Sequence, residues 1–300
     1  MQPIHPERAL YASPEARRMS RLCGTALVLL ALFLCRPVLH YGFLYLRDDD
    51  LNVALNPNMG AVTLSRLHWM FTNVAYVRRY IPLGWLDFSA TYTLAGLDPA
   101  PYHAVGLALF LLNTALVFGL LLRAVRLFGA RRSPGGLGPW QVGAAALATA
   151  WWAFSPLRVE TTAWVSGNLY GQAAALLLLS LLSYLRSYTS SSRGAWVGVS
   201  AALYAASLLT YPIALGVPGL LIGLDWLRTR TDARVPFGRL LAEKAAFLVP
   251  LAAMLAVTVA ARVGASATYG AIPSLGEMSL GSRLAQSAYV AAYYVWKPWW

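Results

Sequence analysis

Apolar residues in this chain come in long runs rather than in alternation. The first extends from Leu22 to about Val38. Others lie at roughly 103–122, 140–155, 169–185, 195–211, 213–227 and 244–261, and a last one begins near 286 and runs into the chain end. Long runs almost free of charge read as membrane spans. Several are nearer 15 residues than the ~20 that a straight span needs. Segments 195–211 and 213–227 are parted only by Pro212, and Pro218 interrupts the second. Short, Pro-broken segments are tolerated where they are buried in a bundle or line a cavity. The pattern predicts an all-α polytopic membrane protein of about eight spans, the last truncated because no polar tail follows Trp300. Residues 1–21 form a polar N-terminal tail. The first span is expected to stay uncleaved, since Cys35-Arg36-Pro37 follows it instead of a small-residue cleavage site.

The longest hydrophilic stretch is 40–101, a first loop between spans. Within it Leu64, Leu67, Met70 and Phe71 share one helical face, with Thr63 placed to cap the helix. Nine residues cannot cross a bilayer. The segment is expected to lie at the interface, with Trp69 at headgroup depth.

Composition sharpens the class. Charged residues make up 12% of the 300 positions, apolar residues 58%, and mean hydropathy is +0.53. That is about half the charge of a soluble surface. The net charge of +12 would suggest nucleic acid in a soluble chain. Threading the runs across a bilayer removes that reading. With a cytoplasmic N-terminus, fifteen of the 24 Lys and Arg fall on the cytoplasmic side, as the positive-inside rule requires. Seven of the twelve acids fall on the other side. Cys23 and Cys35 are twelve residues apart, about 18 Å along a helix, and cannot pair with each other. No repeat, low-complexity tract or soluble domain is evident.

Three groups carry candidate chemistry. Asp48-Asp49-Asp50 lies just beyond the first span. Adjacent carboxylates repel, so at least one is expected to hold its proton more tightly, toward the range of a general base; together they are also candidate oxygen ligands for a divalent cation. A solvated acidic loop is the bland alternative. In the loop Phe154–Asn168, Arg158 and Glu160 are two apart and point the same way if that segment is extended. His103 begins the second span, where a satisfied helix-end residue is the plain reading. There is no HExxH, CxxC, GxGxxG or Walker Gly-Lys-Ser/Thr pattern, which disfavours a metalloprotease, a nucleotide-driven pump and a dehydrogenase.

The order of several pieces adds to this. Asp48-Asp49-Asp50, Asn56-Pro57, Leu67-His68-Trp69-Met70-Phe71 and Pro82-Leu83-Gly84-Trp85-Leu86 come first. Gly96-Leu97-Asp98-Pro99, Tyr102-His103, Asn113, Phe154–Ser166 and Pro212 through Pro218 to Asp225-Trp226 follow. The series, over roughly residues 22–300, resembles the membrane part of the transmembrane-and-tetratricopeptide-repeat O-mannosyltransferases, within the GT-C glycosyltransferases. The resemblance implies transfer of a sugar, mannose in that family, from a polyprenyl-phosphate donor in the bilayer to a protein or glycan acceptor on the external or lumenal face, with inversion. It implies Asp49 as the base and Asp50 as its partner. Asp48, His103, Arg158, Glu160 and Arg79 are then substrate-binding candidates. It implies a bacterial cytoplasmic membrane, or the endoplasmic reticulum membrane in a eukaryote. The chain departs from the family where Ser155, Ile81, Tyr211 and Asn168 stand at usually basic positions, with Arg78 and Arg79 as substitutes for the arginine missing at 81. Those losses support a second hypothesis, a lipid-linked-sugar binder or carrier of the same fold without transfer chemistry. A secondary transporter is disfavoured, since no inverted repeat and no mid-span carboxylate is found.

Overall fold

A computed structural model describes residues 10–45, 48–74, 76–129, 135–231, 237–264 and 273–297. Among them the chain is helical, with no strand. Long helices occupy all the predicted runs: α1 (Pro14–Cys35), α4 (Pro99–Phe128), α5 (Pro139–Ala153), α7 (Asn168–Ser187), α8 (Arg193–Thr210), α9 (Val217–Thr231), α11 (Ala245–Gly264) and α12 (Leu280–Trp296). Shorter helices lie between them: α2 (Leu64–Thr72), α3 (Pro82–Ala95), α6 (Leu157–Ala163) and α10 (Phe237–Ala242). Among the described residues four stretches, Pro14–His40, Pro99–Phe128, Val165–Ser187 and Leu240–Gly264, are long and apolar enough to cross a membrane. Leu29 and Phe33 on α1, and Val249, Val259 and Val263 on α11, are exposed. Faces this apolar match acyl chains, not water.

Packing follows side-chain size and polarity. α7 and α8 form a hairpin whose seam is lined by serine. Ser180 and Ser200 each donate to the other's backbone carbonyl, at 2.7 and 2.8 Å, and Ser207 donates to the Ala173 carbonyl at 2.8 Å. Small hydroxyl residues let helix backbones approach where no water competes. α4 lies against α7 and against the α1–α5 pair, through Leu27, Phe118, Leu122, Val142 and Ala145. α11 closes on α8 around Tyr204, Phe247 and Met254.

Several boundaries differ from the sequence reading. α1 begins at Pro14, with Ser13 Oγ accepting from the Ala16 amide at 3.1 Å, so much of the supposed tail is helix; residues 1–9 lie outside the described chain. Pro218 does not interrupt a helix, because α9 starts at Val217 and Pro218 sits in its first turn, where its missing N–H costs nothing. Residues 154–168 are not extended, since α6 occupies their middle. α2 forms with Thr63 as its cap, but Met70 turns inward while Leu64 is 86% exposed. Trp69 packs against Tyr76 and Trp85, ring centroids 5.6 and 5.8 Å away. α3 was not foreseen. Its Trp85 and Phe88 are buried against Tyr102, Val165 and Leu169. Gly84 allows this, because a Cβ there would meet Leu169 Cδ2 at 2.3 Å and the Thr210 carbonyl at 3.2 Å. The last span, expected to be cut short, corresponds to α12, which ends at Trp296 with Lys297 as its C-cap; residues 298–300 lie outside the described chain. Both cysteines are free.

Candidate functional site

The acidic triplet follows the 3₁₀ turn Arg36–His40 that ends the first span. Its three carboxylates go three ways. Asp49 is 0% exposed. Its Oδ2 accepts from the Leu44 amide at 2.8 Å. Its Oδ1 accepts from the Ser166 amide at 2.8 Å and from Ser166 Oγ at 2.6 Å. Asn52 Nδ2 donates in turn to Ser166 Oγ at 2.9 Å. One carboxylate thus clamps the first loop to the segment before α7, across 117 positions of sequence. Asp48 has a φ of 73° and accepts from Arg79 Nη2 at 2.6 Å. Asp50 is half-buried, opens a short π-helical turn (Asp50–Ala54) and accepts from the Leu51 amide at 2.9 Å. The carboxylates do not converge, and among the described residues no cluster of three or more acids, histidines or cysteines could hold a metal ion. A divalent cation held by Asp48, Asp49 and Asp50 together does not fit this arrangement.

Two further residues share the left-handed backbone of Asp48: Val77 at φ 50° and Arg78 at φ 57°. For a β-branched residue such as Val77 this is a strained state, and strain persists only where surrounding contacts fix it. Here it aims Arg78 and Arg79 into a cavity of about 400 Å³, completed by Tyr80, Tyr211, Pro212, Leu215, Leu255, Thr258 and Arg262. Burial works against the Arg79 charge, but the Asp48 carboxylate and the phenols of Tyr211 and Tyr170 more than offset it and hold the guanidinium pKa above its ordinary value. The lining combines three cationic side chains, Arg78, Arg79 and Arg262, with Leu255 of α11 and Leu215 of the α8–α9 turn. Tyr211 also meets Tyr170, hydroxyl to hydroxyl at 3.5 Å and ring centroids 4.7 Å apart.

On the other side of Tyr170 lies a smaller cavity under α6. Arg158 reaches into it, its guanidinium 5.4 Å from the Trp152 ring centre. Burial pushes its pKa down. Glu160 is not beside it. Two residues along a helix turn about 200°, so Glu160 is exposed while Arg158 turns inward, and no ion pair joins them. The extended geometry expected for this pair is overturned by α6. His103 is buried in α4. Its Nε2 lies 3.3 Å from the Gly42 carbonyl, which puts the proton on Nε2, and Tyr41 meets the ring edge-on. His103 therefore ties α4 to the end of the first span and lines neither cavity.

Asp48 thus pairs with Arg79 and Asp49 with Ser166, Arg79 and Arg158 flank the Tyr170–Tyr211 pair, His103 lies near Asp49 without bonding to it, and Glu160 stands aside. Sequence reasoning included Ser166 only as the end of the Phe154–Ser166 block and passed over Asn52 and Tyr170, which carry no motif. Arg262 had a legible signal, a lone cation closing the run 244–261. No protein family, curated protein or solved structure matches this chain.

Proposed function

We propose that the chain is a GT-C-type membrane glycosyltransferase that moves a sugar, mannose by resemblance, from a polyprenyl-phosphate donor to a protein or glycan hydroxyl. The carrying observation is the Asp48–Arg79 ion pair, which joins the acidic triplet to the basic pocket. A donor needs cations for its phosphate and an apolar wall for its lipid, and that pocket offers both. In the displacement, the acceptor oxygen bonds to the anomeric carbon as the bond from that carbon to the phosphate oxygen breaks. The phosphate leaves with the electron pair beside Arg79 and Arg262, and the hydroxyl proton passes to a carboxylate. Asp49 was the expected base. Its two oxygens already take three bonds, which favours Asp49 as the residue that fixes the loop; in this reading its neighbour Asp50, the partner carboxylate in the resemblance, takes the proton. On this reading all eight long helices cross the membrane. The site then faces the external side of a bacterial cytoplasmic membrane, or the lumen in a eukaryote.

The test is transfer of radiolabelled mannose from polyprenyl-phosphate-mannose in proteoliposomes. Asp50→Asn is expected to lower turnover at least a hundredfold, and Arg79→Ala to weaken donor binding. Wild-type rates in Asp49→Asn and Asp50→Asn alike would remove the triplet from the reaction. The complete burial of Asp49 favours one second reading, a lipid-linked-sugar carrier. Donor that co-purifies with the protein and is never consumed would establish it.

A further inference from the structure

Buried polar atoms without partners are rare, and each calls for an explanation. Among the described residues they concentrate in one place. Ser155 Oγ, Arg158 Nε, Trp164 Nε1, Asn168 Oδ1 and Gln172 Oε1 all belong to the segment 155–172, and Asn113 Oδ1 faces it from α4. Three of these residues, Asn113, Arg158 and Asn168, line a single cavity of about 40 Å³. Asn168 is 1% exposed and Asn113 4%. Their amide nitrogens are already used: Asn168 Nδ2 donates to the Tyr102 carbonyl at 2.9 Å, and Asn113 Nδ2 to the Gly171 carbonyl at 2.8 Å. Both carboxamides are thereby held with a bare oxygen. Gly106 makes room for one of them, since a Cβ there would lie 2.4 Å from Asn168 Oδ1. The remaining walls include the aromatic rings of Phe110, Trp152 and Tyr170.

We propose that this cavity is a carbohydrate subsite that takes the hydroxyl-bearing edge of a hexopyranose. The complement is specific in kind. Two acceptors lack donors, one guanidinium N–H lacks an acceptor, and aromatic walls surround them. A ligand must give protons to the Asn oxygens and a lone pair to Arg158 while presenting C–H groups to the rings. A hydroxyl donates and accepts at once, and a sugar edge carries several beside an apolar ring face. An anion would satisfy Arg158 and leave both Asn oxygens bare; an ammonium would do the reverse. The volume admits a hydroxymethyl or a vicinal pair of hydroxyls, with the body of the ring in the mouth beside Tyr170. That residue also borders the Arg79 side through Tyr211, so the ring and a lipid phosphate would lie on either side of the tyrosine pair. The inference rests on the transfer reading for the source of the sugar, and on the donor–acceptor pattern alone for the binding.

Saturation-transfer NMR on the full chain in lipid nanodiscs tests it, with methyl α-mannopyranoside and methyl α-glucopyranoside as probes and cyclohexanol, of similar ring size with one hydroxyl, as control. At least one hexoside is expected to receive saturation and cyclohexanol none. Asn113→Leu should weaken hexoside binding about tenfold, the scale of one lost hydrogen bond in a dry site. Arg158→Gln should do the same. It provides the readout if Asn113→Leu fails to fold, because the Arg158 side chain has no hydrogen-bond partner at Nε to lose. No saturation of any hexoside would mean a cavity filled with water only and would overturn the proposal. Equal saturation of cyclohexanol, or unchanged binding in both variants, would do so too. Hexoside binding without turnover in the proteoliposome assay would leave the subsite standing and sink the transfer reading.

Discussion

At the scale of single residues, the site is organised by how each polar group finds partners. Asp49 and Asp48 are neighbours in sequence, yet one is sealed behind backbone donors and Ser166 while the other meets Arg79. Divergence of this kind relieves the mutual repulsion that adjacency creates. Asp87 on α3 is the contrasting case. Its Oδ2 is buried with no partner, and burial pushes its pKa from 3.8 to about 6. A raised acid pKa stabilises the fold fully below the unfolded value and loses that contribution as pH rises through the folded one. Asp87→Asn has no carboxylate to charge. The variant should therefore match wild type near pH 3.5 and gain on it between pH 4 and 7, by up to about 3 kcal/mol above that window. Melting temperatures at pH 3.5 and pH 8 check this; an equal offset at both would show that Asp87 does not titrate across the transition.

At the scale of elements, α3 and the α7–α8 hairpin decide the geometry. α3 reaches the hairpin only because Gly84 has no side chain, and with α3 docked Trp85 closes the aromatic cluster behind the Arg78–Arg79 turn. A second joint lies at the far end of α7. Tyr184 and Tyr188 donate to the two oxygens of Asp225 at 2.7 and 2.8 Å, and Lys244 contacts both Asp225 and Tyr184. Arg193 grips Glu243 with two hydrogen bonds beside it. Together these tie α7, α8, α9 and the start of α11. Removing one partner of a buried pair strands the other charge. Asp225→Ala is expected to cost about 3–5 kcal/mol in reversible unfolding, while the double variant Asp225→Leu/Lys244→Met should recover most of it. A single variant as stable as wild type would show that the pair is not a fastening.

At the scale of the whole molecule, the two joints sit at opposite ends of one helix. α7 begins two residues after Ser166 and runs 20 residues to Ser187, about 30 Å and the thickness of a hydrocarbon core. In the proposed topology the Asp49 clamp and the Lys244 pair lie at opposite faces of the membrane. Single cysteines in a background without Cys23 and Cys35 test that layout. Cysteines replacing the exposed Leu55 and Val159 should react with an impermeant maleimide from one side, and one replacing Ser191 from the other. Reaction of the first two from opposite sides would be incompatible with the bond between Asp49 and Ser166.

Much of this was written in the order of residues. The apolar runs set where the long helices form, because a chain in lipid must satisfy its backbone within each segment. Charge bias suggested an orientation, and Asp48-Asp49-Asp50 and Glu160 stood out as charges beside span ends. What sequence could not supply was partnership. Which carboxylate would be buried depended on Ser166, 117 residues away. Whether Arg158 and Glu160 would face each other depended on a seven-residue helix with no periodic signal of its own. The bare oxygens of Asn113 and Asn168 depend on the packing of α4 against α7, through the Gly171 carbonyl for Asn113 and the gap at Gly106 for Asn168. Helix formation is local and legible, whereas the pairing of polar groups is a property of segments brought together by packing.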